Sequence, residues 1–258
     1  MDNKLLSIIL VSKNNHLDVK YTLDSLNGIE KLNYEILVID SSNSLQIKNL
    51  LNEYKHFSNI KYFWTQPKGI YNAMNLGLKM SAEKSYIWFL NPGDVSLSLE
   101  YIKQVLQKFN ELEIDYCIAQ SVYANKPYLQ ENFFPKKGVE ISLENFASGI
   151  LNFSHQSTFV DKKVFRDGIL FDENYSIAAD FKLQYELVKY YKGTLMPIVL
   201  VKVDVLGVSH KKITKTSLET SLILYRAGYF SIMDALKNFI FKFFKRLFTA
   251  IMIRILNR

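Results

Sequence analysis

The stretch YIWFLNPGD, Tyr86 to Asp94, decides how the chain is read. Five apolar, β-prone residues, Tyr86 to Leu90, have the length of a strand buried on both faces. Asn-Pro-Gly-Asp then breaks the run. These four residues favour turns for local steric reasons, so the break alone is a turn. It can also set Asp94 at the mouth of a sheet, and the flanking sequence bears on which it is.

Upstream, the pattern alternates. Leu5–Ser12, Glu35–Asp40 and Ile60–Trp64 read as strands. Val19–Leu26, Leu45–Tyr54 and Tyr71–Met80 have helical spacing between them, and Leu99–Phe109 is the next helix. Strand and helix in turn, with short loops, form repeated βαβ units. The expected fold is therefore α/β, a mostly parallel sheet with helices on both faces. The second half is less regular. Strands are expected at Asp115–Tyr123, Ser154–Val160 and Thr194–Val205, with Pro197 marking an edge or a bulge. Glu131–Gly138 reads as a loop, and Ala178–Tyr191 and Ser217–Ile232 as helices.

Ligands of such sheets bind outside the carboxyl ends of the strands. Asp40 closes EILVID and Asp94 follows YIWFL, so both carboxylates reach the same edge. This favours a site over a bare turn. An oxygen-rich site with few protein ligands suits Mg2+ or Mn2+, with substrate phosphates completing the shell. Zinc spacing, a Walker loop, GxGxxG and GxSxG are all missing from the 258 residues, which disfavours P-loop NTPases, dinucleotide oxidoreductases and serine hydrolases. The single cysteine, Cys117, excludes an internal disulfide and reads as a buried thiol. Without a signal-peptide pattern, the expected location is cytoplasmic.

Six segments in order carry a family likeness: SIILVSKNN, VIDSSN, KGIYNAMNLGL, YIWFLNPGD, SHQSTF and IAADFKL. Together they resemble a bacterial family 2 glycosyltransferase of the GT-A fold, over about Leu5 to Gly207. The resemblance implies a GT-A domain over residues 1–210 and an inverting, metal-dependent transfer from a nucleotide-sugar, a UDP-sugar first. Val11, Ser12, Asn14 and Asp40 would line the nucleotide, with Asp40 on the base. Lys68, Gly69, Asn75 and Asn91 would lie near the donor, and Asp94 would hold Mn2+ or Mg2+. Asp180 would deprotonate the acceptor hydroxyl, although an Asp before FKLQYEL also fits a helix N-cap. His155 and Gln156 would stand on the acceptor side, and His210 near the metal or merely in the structure. Pro67 and Asn72 occupy positions where the family usually has acids. That departure admits an alternative, a catalytically impaired nucleotide-sugar-binding scaffold in a membrane assembly.

The net charge of +7 is concentrated at the end. From Asp234 to Arg258, six cations stand against one acid, a net +5. In residues 211–258, expected as a helical extension, Leu236, Phe239, Ile240, Phe243, Phe244, Leu247, Phe248, Ile251 and Ile255 recur at helical steps as one stripe. Its longest uncharged stretch, Leu247–Ile253, falls far short of the roughly 20 residues that span a bilayer. The expectation is an amphipathic helix on the inner face of the cell membrane, or else a helix packed on the core or on a second copy of the chain. The acceptor would then be a lipid-linked glycan or a growing surface polysaccharide. Cations confined to one helix do not form a nucleic-acid groove.

Overall fold

A computed structural model describes residues 4–124, 133–204 and 212–256, and the side chains of these except 124, 204, 245, 246 and 249–256. His210 lies outside the described residues.

The first half is a run of βαβ units. Strands β1 (Leu5–Ser12), β2 (Tyr34–Asp40), β3 (Ile60–Trp64) and β4 (Ser85–Leu90) lie parallel in the order β3-β2-β1-β4. Helices α1 (His16–Asp24), α2 (Gln46–Leu50) and α3 (Ile70–Met80) make the crossovers. Strand periodicity divides the side chains between two cores. Leu6, Ile8 and Leu10 join one with Val19 and Leu23 of α1; Ile9 and Val11 join the other with Tyr71, Met74 and Leu78 of α3. Hence β1, β2 and β4 are buried along almost their whole length, while β3 at the edge is only half-buried. Gly77 lets α3 sit directly on β1, because a Cβ there would lie 2.4 Å from Ile9 Cγ2.

The second half adds antiparallel strands to that parallel frame. β5 is Val95–Ser96, α4 Leu99–Leu112, β6 Tyr116–Ala124, β7 Phe133–Phe134 and α5 Leu143–Ser148. β8 is Thr158–Asp161, α6 Lys163–Arg166, α7 Ala179–Tyr190, and β9 Gly193–Asp204. β8 runs antiparallel to both β4 and β6, β9 runs parallel to β6, and β5 antiparallel to β9. The full order is β3-β2-β1-β4-β8-β6-β9-β5, with β7 on β6. Cys117 is buried.

Three local expectations change. Ser154–Val160 begins as a 3-10 turn, His155–Ser157, and the strand starts only at Thr158. The carbonyl of Ser154 accepts the Ser157 N–H and the Thr158 hydroxyl, and such local bonds compete with a ladder. Within the expected loop 131–138, Phe133–Phe134 pairs with Ser121 and Val122. Pro197 marks a bulge, since the β6–β9 register shifts between Leu195 and Val199.

The C-terminal part is two helices, α8 (Ile213–Arg226) and α9 (Ile232–Leu256); the helix expected over 217–232 starts and ends earlier, and the tail helix was expected. α8 belongs to the core, with Ile223 and Leu224 buried beside Leu183 and Leu187 of α7. α9 packs on α8, and Ser221 Oγ donates to Asn238 Oδ1 at 2.9 Å. The single apolar stripe expected on α9 is divided. Phe239 and Phe243 are partly buried, whereas Leu236, Ile240, Phe244, Leu247 and Phe248 are exposed, as is Phe241 beside them. The helix carries more apolar residues than one face can bury. Among the described residues no helix is long and apolar enough to cross a membrane.

Candidate active site

The carboxyl ends of β1, β2 and β4 lie on one edge of the sheet, and the loops that follow them interlock there. After β1, Asn14 takes a left-handed φ of 56°. Its N–H donates to Ser42 Oγ at 2.7 Å, and its Oδ1 accepts the Asn43 N–H at 3.1 Å. Ser12 Oγ bonds Asn15 Oδ1. Val11, Ser12 and Asp40 are buried while Asn14 is exposed, so of the expected nucleotide-lining group Asn14 reaches the surface.

Asp40 is 0% exposed. Its Oδ1 accepts the Ser42 N–H at 2.8 Å and the Ser42 hydroxyl at 2.5 Å, and its Oδ2 accepts the Tyr62 hydroxyl at 2.9 Å. Burial, and then the bond to Asp40, push Tyr62 up to about 12. The side chains that this carboxylate holds are thus set around it at the strand ends. Trp64, opposite Asp40 in the register and mostly exposed, donates its Nε1–H to the Ser42 carbonyl at 3.1 Å. Sequence reasoning missed Tyr62 and Trp64; the Asp40–Trp64 register was the signal that could have found them.

The NPGD break is a turn and more. Asp94 N–H donates to the Asn91 carbonyl at 3.0 Å, and Gly93 supplies the φ of 95° that this turn needs. Asp94 is 4% exposed, and its Oδ2 accepts the Asn91 N–H at 2.8 Å. The side-chain oxygen of Asn91 is buried without a hydrogen-bond partner. An orphaned amide oxygen beside a carboxylate suits a hard cation. Among the described residues there is no group of three or more His, Cys, Asp or Glu that would hold one without help. The donor set therefore fits Mg2+ or Mn2+ only where a bound diphosphate and waters add oxygens.

Asn91, His155, Asp180 and Tyr71 meet around one cavity of 410 Å3. Asn91 Nδ2 stands 3.3 Å from His155 Nε2, and His155 Nδ1 stands 3.5 Å from Asp180 Oδ2. Asp180 Oδ1 accepts the Phe181 N–H at 2.9 Å and the Tyr71 hydroxyl at 3.3 Å. Burial, and then the charge of Asp180, raise the Tyr71 pKa far above its usual value, so Tyr71 stays a donor. Gln156 lines the same cavity. Asp180 is not the cap of its helix. It lies inside α7, and Ala178 occupies the cap position without a side-chain bond. The cap is supplied from α8 by Glu219, which the sequence did not reveal.

Of the remaining expected donor residues, Lys68 and Asn75 lie together on a second cleft, apart from that cavity. Asn75 is turned to the loop before α7, where its Nδ2 donates to the Phe171 carbonyl and to Glu173, and its Oδ1 accepts the Phe171 N–H. Asn72 donates to the same Glu173 at 3.0 Å, so an acid at 72 would meet a like charge. Lys68 is exposed and lines a separate cleft of 590 Å3 along α3, together with Lys79 and Arg166. Gly69 precedes α3 with a φ of 109° and is exposed.

The sequence profile of the family described as "Glycosyl transferase family 2" matches residues 7–166. Among proteins with curated descriptions, none matches. Solved structures are similar in fold. The S. aureus TarS 1–349 structure matches with a TM-score of 0.68 at 16% identity, over 95% of this chain and 72% of that one. Its UDP complex matches at 0.65 and 18% identity, over 86% and 65%. The mannosyltransferase PcManGT from Pyrobaculum calidifontis, in complex with GDP-Man and Mn2+, matches at 0.64 and 11% identity, over 96% and 75%. The chain spans 43% of the longer TarS chain.

Proposed function

The chain belongs to glycosyl transferase family 2, and from that premise we propose that it moves a sugar from a nucleotide-sugar to a glycan or lipid-linked glycan hydroxyl, with inversion. The observation that carries this reading is the meeting of Asn91, His155, Asp180 and Tyr71 around one cavity at the carboxyl edge of the sheet. The loops after β1 and β2 would take the nucleotide, with Asp40 and its bonded Tyr62 and Ser42 below the base. A UDP-sugar is the first donor to try, since TarS is held with UDP-GlcNAc; PcManGT, held with GDP-Man, makes the second.

Asp180 is the base. As the acceptor oxygen bonds to the anomeric carbon, its proton passes to the Asp180 carboxylate and the bond to the diphosphate oxygen breaks. One displacement from the face opposite the leaving group inverts the centre. A carboxylate suffices because the proton becomes acidic as the bond forms. His155 and Tyr71 hold that carboxylate from two sides. Asp94 and the Asn91 side-chain oxygen would hold Mn2+ or Mg2+, which when bound offsets the charge of the departing diphosphate.

Hydrolysis of UDP-GlcNAc and GDP-mannose, with and without Mn2+, tests the reading. Asp94→Asn keeps an acceptor for the Asn91 N–H, so the turn should survive. The expected result is loss of the Mn2+-dependent turnover with an unchanged melting curve. Wild-type turnover in that variant would end the metal role.

The open apolar face of α9 supports attachment to an anionic membrane surface, where the acceptor would be presented. Phe241, Phe244 and Phe248 are 62%, 61% and 66% exposed, and the helix is rich in cations. Replacing these three by Gln should release the protein from anionic vesicles without changing its melting. A wild-type chain that stays in the supernatant at low salt would sink this part.

A further inference from the structure

We propose that Glu219 is a positioning residue for the base: from α8 it fixes the segment that carries Asp180. The inference rests on the reading of Asp180 given above and deepens it.

The start of any helix leaves backbone N–H groups without partners inside the helix. α7 begins at Ala179; Ala178 has no side-chain cap bond, and Asp180 takes only the Phe181 N–H, inside the first turn. Glu219 does so from a distance of some forty residues along the chain. Its Oε1 accepts the Ser176 N–H at 3.2 Å and the Ser176 hydroxyl at 3.0 Å. Its Oε2 accepts the Ile177 and Ala178 N–H groups, both at 3.0 Å. Four donors converge on one buried carboxylate, and its charge also suits a helix N-terminus.

The same segment is held from the opposite side. Tyr71 Oη donates to the Ile177 carbonyl at 2.5 Å and to Asp180 at 3.3 Å. The backbone two to four residues before Asp180 is therefore pinned on its N–H groups by α8 and, at Ile177, on its carbonyl by α3. Releasing one pin lets the carboxylate of Asp180 swing away from the line between His155 and the acceptor. Glu219 does not line the cavity, so it touches neither donor nor acceptor. Its effect must pass through Asp180. This gives α8 a catalytic reason to be part of the domain, beyond the burial of Ile223 and Leu224.

Glu219→Gln is nearly isosteric and tests the clamp with little risk to the fold. One of its two terminal atoms becomes an N–H donor facing backbone N–H donors, so half the clamp is lost. Amide exchange at Ile177 and Ala178 should speed up, with the rest of the core still protected. UDP affinity should not change. Turnover of UDP-GlcNAc or GDP-mannose should fall between about tenfold and 100-fold, the cost of a misplaced group. In the Asp180→Asn background, Glu219→Gln should cost nothing further, because the group it positions is gone. Unchanged protection at Ile177 and Ala178 overturns the proposal, as does a full additional loss in the Asp180→Asn background. Full turnover in Asp180→Asn alone is a separate result and overturns the reading of the base itself.

Discussion

At the amino-terminal edge of the sheet, carboxylates meet lysines: Glu35 with Lys61 at 2.8 Å, Asp115 with Lys163 at 2.6 Å, and Asp161 with Lys4 at 2.6 Å. At the carboxyl-terminal edge, Asp40 and Asp180 are held by hydroxyls, backbone N–H groups and an imidazole, and among the described residues neither forms an ion pair with Lys or Arg. A carboxylate paired with a lysine has its charge matched inside the protein. One held by hydroxyls and N–H groups is fixed in place with no lysine or arginine beside it to match its charge. The two edges thus divide the work of the molecule. On the proposed function, the first stabilises and the second is completed by a ligand; the Asn91 side-chain oxygen there is buried without a hydrogen-bond partner. This is the edge where open α/β sheets bind ligands.

The largest effect that can break the comparison is at Asp180. Asp180→Asn should lower turnover by about 100-fold or more, the usual contribution of a general base. Its melting temperature should stay that of the wild type, because Asn keeps an oxygen for the Phe181 N–H and the residue is not the helix cap. Calorimetry beside a hydrolysis assay reads both. A variant that melts several degrees lower with turnover intact would move Asp180 to the stabilising side.

The first half of the fold was legible because its strands are continuous apolar runs and its helices have clear spacing. Leu5–Ser12 and Ile60–Trp64 begin and end as read. The antiparallel insertion of β8 was not legible, since the strand is four residues long and a 3-10 turn precedes it. Of the candidate site, Asn91, His155, Gln156 and Asp180 line one cavity, and Asp94 sits behind it, bonded to the Asn91 N–H. Asn75 and Lys68 point elsewhere: motif membership gives a residue its place along the chain but not its partner, and here Glu173 and Phe171 were free to claim Asn75. Glu219 carries no local signal at all. A lone Glu in a helix reads as a solvated face, and only the tertiary fold turns it onto α7.

A smaller effect sharpens the other side of the comparison. Glu35 is buried on β2, and its Oε1 accepts the Ser7 hydroxyl at 2.6 Å and the Ala82 N–H at 2.8 Å while Lys61 takes its Oε2. Burial works to raise its pKa; the bonds from Lys61, Ser7 and Ala82 outweigh burial and leave it below the usual carboxylate value. A group whose pKa is lower in the folded than in the unfolded chain stabilises at neutral pH, and that contribution fades as pH falls through the folded value. Glu35→Gln keeps the volume and one acceptor but turns an N–H2 towards Lys61. It should cost about 1–3 kcal/mol at pH 7. The gap between the two proteins should narrow below the ordinary glutamate pKa of about 4.3, where the unfolded chain begins to bind the proton. Nucleotide hydrolysis should be unaffected at temperatures where both proteins are folded, because Glu35 lies at the opposite edge from the cavity. Denaturant unfolding of both proteins across pH 3 to 7 measures the gap. A gap that stays constant over that range would mean that the charge of Glu35 is not what stabilises, and a loss of turnover in the folded variant would mean that the two edges are coupled.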